Sequence, residues 1–115
     1  MASLYGLVSL MTVDNPQVVD FVGTDIQTDE VVLSIVDASE WGSRDHLLAL
    51  QAKLNSYFAF IETGQLLEDY PKAEGKSVRI DVICRFEPDE AGLALLAEAR
   101  SLAGAANWEM TWKVV

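Results

Sequence analysis

Three titratable side chains in the middle of the chain stand at helical spacing. His46, Lys53 and Tyr57 are separated by seven and four residues, so a helix aligns them along one stripe beside the small Ala49. Acid–base catalysis needs a base close to an electrophilic group, and Asp37 just upstream would orient the base. Lysine stems and tyrosine rings also commonly cover apolar surface while their polar ends stay in water. The stripe is therefore typical of an ordinary core boundary, and the rim of a pocket is the alternative.

A metal site would have to combine the single histidine with carboxylates. Asp37, Glu40, Asp45 and His46 are close in the sequence, and oxygen with imidazole ligands suits a divalent transition ion. Asp45 and His46 are adjacent, however, so on a helix their side chains diverge by about 100°. The chain also lacks a glycine-rich phosphate loop, G-x-S-x-G, H-E-x-x-H and paired-cysteine motifs. We therefore predict no metal and no other cofactor, and we assign these residues to turns and helix capping.

A helix inside the segment 41–67 must position these residues. Ser43 can cap its start, because the hydroxyl accepts from backbone N–H groups two or three residues on, and Gly64 can end it in a left-handed conformation. One stripe of this helix is apolar and should face a sheet: Leu47, Leu50, Leu54, Phe58 and Ile61.

The opposite side of the helix is small or polar apart from Leu48, and we expect it to face water or a partner. Its members are Arg44, Asp45, Gln51, Ala52, Asn55, Ser56, Ala59, Glu62 and Thr63. Trp41, before the helix, is expected to be an apolar plug closing the core, with a binding aromatic as the alternative. The residues predicted to form a pocket or an interaction surface are Asp37, Trp41, His46, Gln51, Lys53, Asn55, Tyr57, Glu62 and Gln65.

The chain has a net charge of −10, from 18 acidic and 8 basic residues. A polyanion such as DNA would be repelled by this field, so we expect no nucleic-acid partner. The imbalance is concentrated in residues 1–45, where eight acids stand against Arg44 as the one base. This half is either a solvated face that keeps the protein in solution or a surface that meets a basic partner.

Cys84 is the single cysteine and lies in an apolar run, so we expect a small buried hydrophobe rather than a disulfide or a nucleophile. Residues 1–11 are apolar but lack a basic start and a small-residue cleavage site, and they are too short to span a bilayer. We expect a cytoplasmic protein without a membrane anchor, formed by a single domain over residues 1–115. Residues 1–15 are expected to be a loose extension or an extra edge strand, with Met11 as an alternative start.

Alternating apolar and polar residues predict the strands, and helical stripes predict the connections between them. The stretches 18–22 and 30–37 are close enough for an antiparallel hairpin, and Pro88 opens a second helix that Gly104 ends. Two further strands are expected at 77–86 and 107–115. The order ββαβαβ indicates an α+β protein, a two-layer mixed sheet of about four strands with two helices on one face. The order of the strands within the sheet stays open.

Three tracts resemble a small bacterial family, the domain of unknown function 6572: EVVLSIVDASEW, HLLALQAKLNSYFAFIETGQ and VRIDVICRF. The resemblance covers roughly residues 18–86, and the last helix and strand follow it only loosely. It implies no activity, but it points to the long helix and the turn before it as the family's signature. The positions that carry it are Asp20, Asp37, Trp41, His46, Leu50, Gln51, Lys53, Asn55, Tyr57, Phe60, Glu62, Gly64 and Gln65.

These observations favour a non-enzymatic protein-interaction module. It would either associate with itself, for example through an edge strand, or neutralise a basic bacterial partner. The acidic first half of the chain and the polar helix side around Leu48 motivate this hypothesis. The alternative is a small-ligand or metal-dependent enzyme with a site around His46, Lys53 and Tyr57.

Overall fold

The computed structural model of the protein describes residues 21–115. Its elements, in chain order, are strands β1 (Phe21–Thr24) and β2 (Val31–Asp37), helices α1 (Arg44–Glu62) and α2 (Gln65–Asp69), a 3₁₀ turn (Pro71–Ala73), strand β3 (Val78–Cys84), helix α3 (Glu90–Ala105) and strand β4 (Glu109–Val114). Some predictions lie outside the described residues. These are the N-terminal extension, the alternative start at Met11 and residues 18–20 of the first expected strand.

The four strands form one mixed sheet in the order β1-β2-β3-β4. Strand β1 pairs antiparallel with β2 through the predicted hairpin, whereas β2, β3 and β4 run parallel. A helix connects each parallel pair, as a parallel connection requires. The predicted α+β class and mixed four-strand sheet are confirmed, and the structure supplies the strand order.

Both long helices pack on the same face of this sheet. The inward positions of β2 and β3 alternate with half-exposed ones, and Leu33, Ile80 and Val82 have no solvent exposure at all. Leu54 of α1 and Leu96 of α3 close the other side of this core. Burying such a side chain contributes about 1.5–3 kcal/mol, so this layer holds the helices to the sheet. Within residues 21–115, no helix has the length and apolarity needed to cross a membrane.

Helix α1 begins and ends where the sequence predicts. The hydroxyl of Ser43 accepts a hydrogen bond from the backbone N–H of His46 at 3.1 Å, and Gly64 takes a left-handed conformation with φ of 89°. The predicted exposure of the opposite helix side is wrong in part, because Ala52 is 1% and Asn55 5% exposed. Helix α1 contacts α3 in addition to the sheet, so more than one of its sides is removed from water.

Helix α3 starts at Glu90, after the expected Pro88, and ends later than predicted. The carboxylate of Asp89 caps it by accepting from the N–H of Gly92 at 2.8 Å. Gly104 is still inside the helix, and the left-handed residue that follows the helix is Asn107, with φ of 66°. Asparagine adopts this conformation more readily than most other non-glycine residues. Asn107 therefore provides the left-handed residue after the helix that was expected at Gly104.

A cluster of charges holds the β1–β2 hairpin against β3. The Arg79 guanidinium donates to Asp81 at 2.8 Å, to Glu30 at 2.7 Å and to Asp25 at 3.3 Å. These four side chains are largely shielded, and the hydrogen bond to Asp81 is the foremost cause that raises the pKa of Arg79. The cluster therefore links three carboxylates through one cation, whereas Lys76 pairs with the mostly exposed Asp29 alone.

Replacing the shared cation should destabilise the fold far more than replacing its neighbour. Arg79→Met leaves three partly buried carboxylates without their partner, so we expect a loss of about 2 kcal/mol in the free energy of unfolding. Lys76→Met removes an exposed ion pair and should change it by less than about 0.5 kcal/mol. Urea denaturation of both variants measures this difference, and equal losses would contradict the structural role of Arg79.

The same hairpin should make stability depend on acid pH. Hydrogen bonds, foremost from the backbone N–H of Gln27, lower the pKa of the Asp25 carboxyl below its usual value. Because the pKa of this carboxyl is lower in the folded than in the unfolded state, its ionised form adds to the free energy of unfolding at a pH above the unfolded pKa of about 3.9. This contribution is lost as the pH falls through the folded-state pKa. The free energy of unfolding, measured at about pH 5 and about pH 3, should therefore fall less for Asp25→Asn than for the wild type. An unchanged fall would rule out this contribution.

Candidate functional site

The carboxyl ends of the three parallel strands lie at one edge of the sheet, which is where open sheets of this kind usually bind ligands. Residues 38–43 follow β2 and residues 85–89 follow β3, and each segment leads into a helix start. We call this region the loop edge: the two segments, the first turns of α1 and α3, and the last residues of β2 and β4. Because β2 and β3 are neighbours, the two segments lie side by side.

Trp41 joins the two segments of the loop edge. Its indole N–H donates to the backbone oxygen of Phe86 at 3.0 Å. Its ring also lies so close to Gly92 of α3 that a Cβ at that glycine would stand 2.5 Å from the indole. Any larger residue at position 92 would displace the indole. Trp41 is half-buried and packs against the core, as the apolar-plug interpretation requires.

His46 and Asp37 form a buried pair beneath this tryptophan. The Nε2 atom of His46 lies 2.6 Å from Oδ2 of Asp37, and both side chains are 8% exposed. When the carboxylate is ionised it only accepts hydrogen bonds, and Nε2 is then the donor of this contact. The other carboxylate oxygen accepts from the N–H of Ser39 at 3.1 Å, and the Trp41 ring centroid lies 4.4 Å from that of His46. The pair therefore ties the end of β2 to the first turn of α1.

The second ring nitrogen of His46, Nδ1, is buried and has no hydrogen-bond partner within residues 21–115. A general base must reach a substrate proton through a free nitrogen. In this arrangement one nitrogen is engaged by Asp37 and the other is covered. The geometry therefore suits a structural link better than proton transfer.

A cleft of about 380 Å³ opens beside the pair. It brings together Asp37, His46 and Lys53 of the predicted residues, and Ser39 adds a hydroxyl. Tyr57 does not line it: the ring is fully buried, and the hydroxyl donates to the backbone oxygen of Ser34 at 2.7 Å. The three aligned residues of α1 are thus divided between a cleft wall and the core.

The remaining predicted residues lie elsewhere. Gln51 is half-buried, and Asn55 is buried with an amide nitrogen that has no partner among the described residues. Glu62, at the far end of α1, is exposed and lies about 24 Å from His46 at 1.5 Å per residue, and Gln65, at the start of α2, is also exposed. Gln65 donates to Asp69 at 2.8 Å. The nine predicted residues therefore do not form one surface. Residues aligned by helical spacing extend along the whole helix, which is longer than a small binding site is wide.

Cys84 lies next to Asp37 across the β2–β3 ladder and has no solvent exposure. Burial, with a smaller contribution from the charge of Asp37, raises the pKa of its thiol. The thiolate needed for nucleophilic chemistry is therefore disfavoured, and the prediction of a small buried hydrophobe is confirmed. In the described part of the chain, no group of three or more His, Cys, Asp and Glu side chains is arranged to hold a metal ion.

The loop edge also displays acids that sequence analysis did not group together. Glu40 lies in the first segment and Glu87 in the second, Asp45 and Glu90 lie in the first turns of the helices that follow, and all four are exposed. None of them makes an ion pair with another described residue, in contrast to Asp25 and Glu30 of the hairpin. The available signal was that each pair lies close to the start of a helix, where acids complement the helix dipole.

The fold and the site define a small α+β protein with one helical layer, a closed histidine–aspartate pair and an acidic loop edge. The chain belongs to the family of unknown function DUF6572, which matches residues 11–115. This confirms the resemblance and extends it through the last helix and strand. Comparison with curated proteins and with solved structures finds no match.

If the His46–Asp37 pair is structural, removing the imidazole should destabilise the protein. His46→Ala leaves a buried carboxylate with only the Ser39 N–H, so the free energy of unfolding should fall by about 2–3 kcal/mol. Gln51→Ala, at a half-buried position of the same helix, should lower it by less than about 0.5 kcal/mol. Urea denaturation compares them, and a similarly small loss for His46→Ala would instead favour a functional histidine.

Proposed function

We propose that the protein is a non-enzymatic interaction module that binds a basic protein at the loop edge. The observation that carries this proposal is the grouping at the loop edge of Glu40, Asp45, Glu87 and Glu90, which make no ion pair within residues 21–115, whereas acids of the hairpin are neutralised by Arg79. Exposed carboxylates without an internal partner are available to a cationic surface. Their shared field also attracts such a surface before contact is made.

The rigidity of the loop edge supports the proposal. The indole hydrogen bond to Phe86 and the buried His46–Asp37 pair fix both segments, so little conformational entropy is lost when a partner binds. A preorganised acidic rim is what fast, salt-sensitive protein association uses.

The cleft supports a second candidate, a small-ligand or metal-dependent enzyme whose site includes His46 and Lys53. Its favouring observation is that Lys53 lines the cleft next to the His46–Asp37 pair. The contact of Nε2 of His46 with Asp37, the burial of Nδ1 and the position of Tyr57 in the core make it the weaker candidate. A ligand of the cleft should raise the unfolding temperature of the wild type and not that of Lys53→Met.

The interaction proposal is tested by affinity capture of the tagged protein from lysate of its own host. At about 50 mM salt we expect a basic protein in stoichiometric amount, and at about 500 mM salt, where surface charges are screened, much less of it. Mass spectrometry identifies the species and its isoelectric point. Absence of a basic protein at either salt concentration would overturn the proposal.

Charge variants locate the contact. Glu40→Lys combined with Glu87→Lys should reduce capture at least tenfold, because both substitutions place a cation where the basic partner binds. The matched control, Glu74→Lys combined with Glu98→Lys, changes the net charge by the same amount at exposed positions outside the loop edge. Equal losses from both pairs would mean that only the overall charge matters and that the loop edge is not the contact.

A further inference from the structure

Exposed apolar side chains collect at the loop edge together with the unpaired acids. Eight large hydrophobic residues of the described chain are exposed, and five of them stand at this edge: Val36, Phe86, Leu93, Val114 and Val115. The other three lie outside the loop edge: Phe21 begins β1, Ile26 is in the β1–β2 turn and Leu67 is in α2. Apolar residues scattered singly over a surface need no explanation, but a concentration at one edge does.

Resting on the proposed function, we infer that these apolar side chains form the centre of the interface, and that Phe86 is its anchor. The partner is therefore a protein surface that is both basic and apolar, such as a cationic amphipathic helix. Specific interfaces have this anatomy, with an apolar centre surrounded by a charged rim. The apolar centre supplies most of the binding energy, whereas the rim sets the rate of association and the choice of partner.

Phe86 is suited to this role by the way in which it is held. Its backbone oxygen accepts from the indole of Trp41, and Trp41 is in turn locked between His46 and Gly92. The ring itself stays partly exposed on this fixed backbone, with the Arg85 guanidinium 5.8 Å from its centroid. An aromatic side chain presented from a rigid backbone can bury a large area on binding at a small entropic cost.

The charges of the loop edge argue against a second copy of this chain as the occupant. Two copies related by a two-fold axis would bring the same surface together, so Glu40 and Glu87 of one copy would face the same carboxylates of the other. The exposed bases of the loop edge, among them Arg44 and Arg85, are outnumbered by its exposed acids and form no ion pair with them within residues 21–115. The net negative charge of this surface therefore opposes the association of two copies. A basic partner has the opposite sign and avoids this repulsion.

Two synthetic peptides separate apolar from purely electrostatic recognition. The first is a leucine–lysine amphipathic peptide of about 18 residues, long enough to form a helix on a surface. The second has serine in place of every leucine and the same charge. Isothermal titration calorimetry with the full chain should give at least tenfold tighter binding of the leucine–lysine peptide, a difference of about 1.4 kcal/mol.

Substitutions at the loop edge should remove this preference. Phe86→Ser should weaken binding of the leucine–lysine peptide about tenfold, and Leu93→Ser about threefold, with the serine–lysine peptide unaffected. Leu67→Ser is the matched control at an exposed leucine outside the loop edge. Thermal unfolding checks that each variant is folded. If Phe86→Ser does not fold, Leu93→Ser still tests the inference.

The outcomes distinguish this inference from the function on which it rests. Equal binding of both peptides, weakened by Glu40→Lys with Glu87→Lys, would overturn the apolar centre and leave the acidic contact standing. Binding of neither peptide at low salt would contradict both. A wild-type dimer in sedimentation equilibrium that Leu93→Ser dissociates would assign the apolar side chains to self-association and overturn the inference. A preference for the leucine–lysine peptide that survives Phe86→Ser and Leu93→Ser would also overturn it.

Discussion

The parallel pairing of β2 with β3 is the constraint on which the rest of the structure depends. Asp37 and Cys84, the last residues of these strands, stand opposite each other in the ladder. The segments that follow must therefore leave the sheet at the same edge, and both lead into helices on the same face. Trp41 can reach the backbone of Phe86 only because of this shared exit. With an antiparallel pair, the same residues would lie at opposite ends of the sheet.

The buried His46–Asp37 pair shows how this edge is kept in place. A carboxylate with so little exposure needs partners, and it has them in the imidazole and the N–H of Ser39. The same contacts that stabilise the carboxylate leave the histidine without an accessible nitrogen. Residues that have the composition of a catalytic pair are thus used to attach a helix to a strand. The groups of the loop edge that can contact another molecule are therefore the exposed side chains on its surface.

Two groups of acids in this chain have the same residue types and different physical roles. Asp25, Glu30 and Asp81 share the Arg79 guanidinium and hold the hairpin on the sheet. Glu40 and Glu87 are exposed and make no ion pair within the described residues. Net charge counts both groups alike, but only carboxylates without an internal partner are available to another molecule. The interaction surface that we propose therefore needs two conditions, acids without a neutralising cation and a position at the loop edge, because Glu74 and Glu98 are also exposed but lie elsewhere.

The sequence by itself determined the class of fold, the antiparallel hairpin and the limits of α1, because these depend on local patterns. Alternation predicts a strand such as β3, and Ser43 and Gly64 act through hydrogen bonds and backbone angles close to them in the chain. Only the tertiary structure decided the strand order, the burial of Asn55 and the separation of Tyr57 from His46. It also decided which acids are paired, since Arg79 reaches Asp25 across 54 positions of the chain. Contacts of this range leave no periodic signal, and they exist only once the sheet has brought its strands together.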